Sequence, residues 1–406
     1  MIGASMEFGW EEEHEKFRGR VRDAINRLLP ADWDETYVRE SYASDLQIDF
    51  SREFCSKLAQ EGLLTPHWPK QYGGDEAEDW QHFILNEEMK AAGEPRGPQY
   101  MNVNWIGPAL MKYGTDEQKH VHLNGISSGR VVWCQGFSEP NAGTDLAALR
   151  TRAVRDGDDY VINGSKIWTS YARRADWCFL LAKTGLNKKD VSVFLLPMDC
   201  DGIEVTSYNG IPKFGHLNEV YFADVRVRSE NRLGDENKAW EIVTYALSYE
   251  RVGVPRYHTG LEALDLAVSK LKSDGRFNDP GVRAHASRIA AQFEAARMLT
   301  YLVVDQRVKK EDSNGDANGA RIISLKAVND LMSFIVEYFP ETLADGDLLL
   351  DDYYRVNAPA GITGGPSGQR PPSKCSMRAL RGAARPCARA SRTTSPHSES
   401  ISVRRP

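Results

Sequence analysis

The chain has 406 residues, 41% hydrophobic and 27% charged, with a formal charge of −6, enough to bury a large core over two or three domains. No apolar run approaches the roughly 20 residues that a membrane-spanning helix needs, and Met1 to Trp10 show no basic stretch leading into an apolar one, so neither secretion nor membrane insertion is expected. Residues 366–406 hold nine Lys or Arg against the single acid Glu399, leaving −14 on residues 1–365, and so acidic a body argues against nucleic acid as the main partner.

The first 130 residues read as helices. Phe17, Val21, Ala24, Ile25, Leu28 and Leu29 recur at helical spacing and stop at Pro30. Ser51 or Asp49 is expected to cap a second segment through Phe54, Leu58 and Leu63. Thr115-Asp-Glu-Gln118 matches a capping box, in which hydroxyl and amide each satisfy a free backbone N–H. His120 and His122 are two apart on a helix, so they face different ways and read as solvated surface residues, not shared metal ligands.

From about Val131 to Leu233 short alternating or β-branched runs take over: Asp159–Ile162, Ile167–Thr169, Trp177–Leu181, Val191–Leu196 and Glu219–Phe222. Asn163-Gly164 falls between two of them and predicts a two-residue hairpin turn. From Ala239, helical spacing returns through Trp240, Val243, Leu247, Glu250, Val254, Tyr257, Leu261, Leu264, Val268 and Leu271, every one but Glu250 apolar, with a kink or break near Pro255. Further helical patterns cover 282–308 and 322–339, giving a helix, sheet, helix order. After Gly365 the chain is Arg, Ser, Pro and Ala with almost no large apolar side chains, and reads as disordered.

The six cysteines show no CxxC spacing and no clustering with histidine, which points away from zinc or a disulfide framework and toward a reducing, cytoplasmic setting. Two features carry candidate chemistry. Glu250 lies on an apolar seam, where lost hydration raises a carboxylate's pKa toward that of a working general base; the same spacing also fits an ordinary buried ion pair. Gly136-Phe-Ser-Glu-Pro-Asn-Ala-Gly-Thr-Asp145 joins small residues, hydroxyls and a proline, as suits a turn that presents backbone N–H groups to an anion or a planar polar ring, and equally a plain β-turn. No Rossmann or P-loop fingerprint is present.

That segment, followed by Asn163-Gly-Ser-Lys-Ile-Trp-Thr-Ser170, resembles two motifs of the acyl-CoA dehydrogenase family. Trp68-Pro-Lys-Gln-Tyr-Gly-Gly74, Lys112-Tyr-Gly-Thr-Asp-Glu-Gln-Lys119, Asn218-Glu-Val-Tyr-Phe-Ala-Asp-Val-Arg-Val227 and Ser248-Tyr-Glu-Arg251 agree, so the likeness covers about residues 6–365. It implies an α+β fold with an N-terminal helical domain (1–130), a central β-barrel domain (131–235) and a C-terminal four-helix bundle (236–365), before the basic tail (366–406). It implies FAD as cofactor, an acyl-CoA substrate, α,β-dehydrogenation, electron-transfer flavoprotein as partner, and a homo- or hetero-tetramer. By the same likeness Phe137, Ser138 and Thr144 contact the flavin, Trp168 covers one face, Ser170 reaches toward N5, and Thr169, Gly364 and Gly365 belong to the same cofactor site. Glu250 is then the α-proton base, the Gly364 N–H holds the thioester oxygen, and Thr144, Tyr249 and Arg251 bind the substrate.

The chain departs from the family pattern twice. Gly364-Gly-Pro-Ser-Gly-Gln-Arg370 replaces a Gly-Gly-Thr-Ser-Glu-like run that supports the dinucleotide, and Gly275-Arg-Phe-Asn-Asp-Pro-Gly-Val-Arg283 replaces an Arg-x-x-Phe-Gly run that reaches a neighbouring subunit's flavin. The first departure reads as a frameshifted or recombined gene end or as a divergent tail; the second is similar to two-component actinobacterial dehydrogenases of steroid side chains, in which one subunit brings the base and the other completes the flavin site. A catalytically incomplete assembly subunit, and a flavin oxidase or monooxygenase on the same fold, are the alternatives.

Overall fold

The structure, a computed structural model, describes residues 10–34, 44–209, 216–253, 256–311, 313–341 and 348–358. Its N-terminal part is helical: α1 (Glu12–Leu28), α2 (Asp45–Gln60), α3 (Asp79–Ala91), α4 (Gln99–Met101), α5 (Gly107–Tyr113) and α6 (Asp116–Ser127), with a π-helical turn, Asn102–Ile106, joining α4 to α5. Helix α1 ends two residues before Pro30 and buries Phe17, Val21, Ala24 and Ile25 on one face, as the spacing predicts. The capping box on α6 forms as expected, and Gln118 also donates to the carbonyls of Glu230 and Arg232 at 2.6 and 3.0 Å, tying α6 to the far end of the β region. The cap of α2 is Ser44, whose hydroxyl accepts from Gln47 N. Ser51, expected there, is instead buried inside the helix and donates back to the Ile48 carbonyl at 2.7 Å, a local bond that serine makes as readily mid-helix as at a cap.

The central region is an eight-stranded sheet: β1 (Trp133–Gly136), β2 (Arg152–Asp156), β3 (Asp159–Lys166), β4 (Trp177–Lys183), β5 (Val191–Pro197), β6 (Ile203–Asn209), β7 (His216–Arg228) and β8 (Arg232–Leu233). The order is β6-β7-β3-β2-β4-β5-β8, with β1 parallel to β4. Strands β4 and β5 are buried along nearly their whole length. Phe179, Leu181, Val193 and Leu195 join the core of the N-terminal helices, whereas Leu180, Phe194 and Leu196 join Tyr160, Ile162 and Val225 of β3 and β7 in a separate core. A strand covered on both faces needs a continuous apolar run, which is how these two read.

The expected hairpin at Asn163-Gly164 is corrected. Strand β3 runs unbroken to Lys166, and the register against β7 shifts between Ile162 and Gly164. The β2–β3 turn is at Gly157-Asp158, with Gly157 at φ 65°. Gly164 is glycine because a Cβ there would lie 2.6 Å from the Thr151 backbone, and Asn163 pairs its amide with Asp224 across the bulge. Close approach of the backbone leading into β2 explains the glycine without any turn. Ile167–Thr169, expected as strand, is irregular backbone beyond the end of β3.

The C-terminal helices are α7 (Ala239–Gly253), α8 (Arg256–Ser273), α9 (Pro280–Val308), α10 (Asn314–Tyr338) and α11 (Leu348–Asn357). Helix α7 ends at Gly253 and α8 begins at Arg256; Pro255, where a kink or break is expected, lies outside the described residues. Residues such as Leu264, Leu271, Ile289, Phe293, Leu331 and Leu350 build a second core. Glu87 of α3 fastens that bundle to the N-terminal helices: it is buried, pairs with Arg18 at 3.2 Å, and accepts the hydroxyls of Tyr257 at 2.5 Å and Tyr301 at 2.9 Å.

His120 is exposed as expected, but His122 is buried, edge-on to Trp177 and Trp133 at 4.5 and 5.2 Å. Burial pushes its pKa down to about 4. An unfolded histidine protonates near 6.5, so stability is constant above that value and falls between there and about pH 4, by up to about 1.4 kcal/mol per pH unit. His122→Phe is therefore expected to unfold at nearly the same urea midpoint at pH 7 and pH 5, corrected for the remaining groups, while the parent loses stability over that interval. Equal pH slopes in the two proteins would contradict the assignment.

Candidate functional site

The two motif segments meet at one end of the sheet. Gly136 closes β1, where a Cβ would collide with Cys178 Sγ at 2.9 Å, so its smallness serves strand packing. The chain then turns through Phe137, buried against Phe179 with ring centroids 5.9 Å apart, and Ser138, half-buried, whose carbonyl accepts Ile167 N at 2.9 Å. Lys166, the last residue of β3, is wholly buried; its Nζ donates to the Phe137 carbonyl at 3.1 Å and to Glu139 Oε1 at 2.7 Å. Glu139 also accepts the backbone N–H groups of Arg150 and Thr151 at 2.5 and 2.9 Å. Burial disfavours its carboxylate, but the Lys166 charge and these hydrogen bonds outweigh that and hold its pKa below the ordinary value.

This ion pair locks the two segments together, and the sequence reading did not single it out. The available signal was one acid and one base, each set among small and hydroxyl residues in facing motifs.

Past Lys166 the backbone is strained. Trp168 and Tyr171 have φ of 60° and 67°, which costs a bulky residue of order 1–3 kcal/mol and clusters at functional sites. Trp168 is 58% exposed, with its ring edge-on to Tyr208 at 5.8 Å. Thr169 is fixed on both sides of its backbone by Asn218, N to O at 3.0 Å and O from Nδ2 at 2.8 Å, yet its buried Oγ1 has no hydrogen-bond partner among the described residues. Ser170 is half-buried, and Thr144 is exposed on the loop after β1. An orphaned hydroxyl beside an uncovered indole fits the polar edge and the face of a planar heterocycle.

Helix α7 packs against β5 and the π turn. Ala239, Ile242, Val243 and Ala246 are its buried face, and position 250 lies on the same helix one turn beyond Ala246. The side chains of Tyr249, Glu250 and Arg251 lie outside the described residues, as do Gly364, Gly365, Pro366 and Gly368. Helix α7 packs on the π-helical turn, whose Trp105 donates Nε1 to Gln135 Oε1 at 2.9 Å, two residues before Phe137. The π turn thus touches both α7 and β1, the strand that leads into the first loop.

Residues 11–130 match the acyl-CoA dehydrogenase N-terminal domain and residues 134–225 the acyl-CoA dehydrogenase middle domain. The acyl-CoA dehydrogenase FadE26 of Mycobacterium tuberculosis is 30% identical over 352 residues, 82% of this chain and 86% of that protein. Among solved structures, the Tcur3481-Tcur3483 steroid ACAD is similar with a TM-score of 0.79 at 30% identity, covering 94% of this chain and all of that one. The ChsE4-ChsE5 complex from Mycobacterium tuberculosis has a TM-score of 0.79 at 27% identity, with the same coverage. The chain belongs to the acyl-CoA dehydrogenase family and is an oxidoreductase of that family. Among the described residues no helix is long and apolar enough to cross a membrane.

Proposed function

We propose that this chain catalyses the FAD-dependent α,β-dehydrogenation of an acyl-CoA thioester, with electrons leaving to an electron-transfer flavoprotein. One observation carries the reading: the Lys166–Glu139 lock holds the ends of β1 and β3 together while Trp168 stays uncovered and Thr169 Oγ1 unpaired among the described residues. Phe137, Ser138, Thr144, Trp168, Thr169 and Ser170 are the residues that would hold the flavin ring, with Gly364 and Gly365 at the same site. Bound FAD supplies the acceptor for the β-hydride. Glu250 takes the α-proton from its place on α7, one turn beyond the buried Ala246. Arg251, Tyr249 and Thr144 hold the thioester and its CoA portion, and the Gly364 N–H steadies the thioester oxygen as it gains charge.

The purified chain is expected to show flavin absorption that bleaches on anaerobic addition of an acyl-CoA that it accepts. A flavin-loaded protein that no thioester in a panel of straight, branched and polycyclic acyl groups can bleach would overturn the proposal. Rapid oxygen uptake by the reduced protein would instead favour an oxidase.

A hetero-tetrameric assembly is the second reading, and the α8–α9 connection favours it. Arg276 is committed to Asp274 and to the Tyr338 carbonyl, and Arg283 to the carbonyls of Phe277 and Asn278. Both guanidinium groups are thus occupied within the chain, where the family pattern sends an arginine to a neighbour's flavin. Flavin content that rises when a partner chain is co-expressed is the expected result of that reading.

A further inference from the structure

Trp168 holds a left-handed backbone, which a bulky residue keeps only where its surroundings impose it. Before it, Ile167 N is held by the Ser138 carbonyl at 2.9 Å, and after it Ser170 N turns back to the Trp168 carbonyl at 3.1 Å. Tyr208 of β6 sets its ring edge-on to the indole and its phenol group near the Trp168 backbone. None of these fixes Thr169. Asn218 of β7 does, because its carbonyl accepts Thr169 N at 3.0 Å and its Nδ2 donates to the Thr169 carbonyl at 2.8 Å. That carbonyl also receives a long bond from Ala172 N, at 3.4 Å.

Asn218 is itself held. It is 1% exposed, stands opposite Ser207 in the β6–β7 pair, and accepts the Ser207 hydroxyl on Oδ1 at 2.7 Å. With the amide oxygen committed to a hydroxyl donor, the amide nitrogen is the end that meets Thr169, so the orientation of the group is settled by its partners. One planar side chain must accept at one end and donate at the other. Asparagine does both, whereas an ionised aspartate of the same shape only accepts.

We infer that Asn218, oriented by Ser207, is a positioning residue that keeps Trp168 and Thr169 shaped as a flavin-facing wall before any flavin binds. A wall formed in advance removes the cost of ordering it at the moment of binding. Releasing the Thr169 carbonyl lets Trp168 relax toward negative φ, which swings its Cβ and exposed indole out of place. The inference rests on the FAD reading above.

The test uses Asn218→Asp, which keeps the shape and the bond from Ser207 and loses the donor. FAD is titrated into apoprotein, and Trp168 is followed separately by fluorine NMR of apoprotein carrying fluorotryptophan, its resonance identified with Trp168→Phe. At about pH 8 the variant is expected to bind FAD about tenfold more weakly than the parent at the same pH, with a displaced Trp168 resonance, because the carboxylate repels the Thr169 carbonyl. At about pH 5 both readouts return toward the parent's, since burial raises the new carboxyl's pKa and its protonated form donates again. A general loss of stability would not recover with acid. Ser207→Ala is expected to move both readouts the same way by less, and it decides the matter should Asn218→Asp not fold. Affinity within about twofold of the parent's in these variants overturns the inference. So does weakened binding with an unmoved Trp168 resonance, or with no recovery of Asn218→Asp at the lower pH. A parent apoprotein that takes up no FAD would sink the cofactor reading alone; the Trp168 resonance then decides, displaced in Asn218→Asp if the inference holds and unmoved if it fails.

Discussion

Glu250→Gln is expected to slow substrate-dependent flavin bleaching by about 10²–10⁴-fold, the range in which a positioned general base contributes, while flavin content and melting temperature stay close to the parent's. The amide has nearly the carboxylate's shape, so α7 keeps its packing through Ala239, Ile242, Val243 and Ala246. What the amide lacks is a site that can accept the α-proton. Stopped-flow absorbance with a thioester that the parent turns over reads the rate, and the spectrum of the resting variant reads its flavin. Bleaching at the parental rate would move the base elsewhere; loss of flavin as well would make position 250 a structural residue.

Lys166→Met is the variant with the largest expected effect on stability. Its ammonium is wholly buried and meets Glu139 at 2.7 Å, and removing one member of a buried pair typically costs about 3–5 kcal/mol because the other charge stays behind. Two backbone N–H groups still reach Glu139, which places the expected loss at the lower end of that range. The pH dependence gives a second readout. Glu139 has a depressed pKa in the folded chain, so its stabilisation is present above the unfolded carboxylate value of about 4.3 and is lost as pH falls through the lower folded value. Without Lys166 the main influence opposing burial disappears, the folded pKa rises, and the acid limb of the unfolding profile moves to higher pH. Because the pair also holds Ile167 against Ser138, the variant should bind flavin more weakly. Urea unfolding at pH 7 and pH 5 tests this; a loss under about 1 kcal/mol with an unmoved acid limb would show that the pair does not stabilise the junction.

Local patterns in the chain proved readable where one element decides the outcome. The end of α1 before Pro30 and the Thr115–Gln118 box each follow from neighbours within four residues. Ser51 and Asn163-Gly164 were misleading for the opposite reason. A serine's local bond is as available inside a helix as at its cap, and Gly164 answers to Thr151, thirteen positions away just before β2. His122 depends on Trp133 and Trp177, eleven and 55 positions away, so no helical-face argument could place it.

The residues themselves determined the helix, sheet, helix order and, through the wording of two motifs, the family, because periodicity and turn chemistry are short-range properties written directly in the chain. Only the tertiary structure decided that Lys166 and Glu139 form the lock between those motifs, that Thr169 Oγ1 is left unpaired among the described residues, and that Asn218 of β7 grips the Thr169 backbone. Each of these depends on how segments far apart in sequence exclude water from a common space, and burial of that kind has no signature in local spacing.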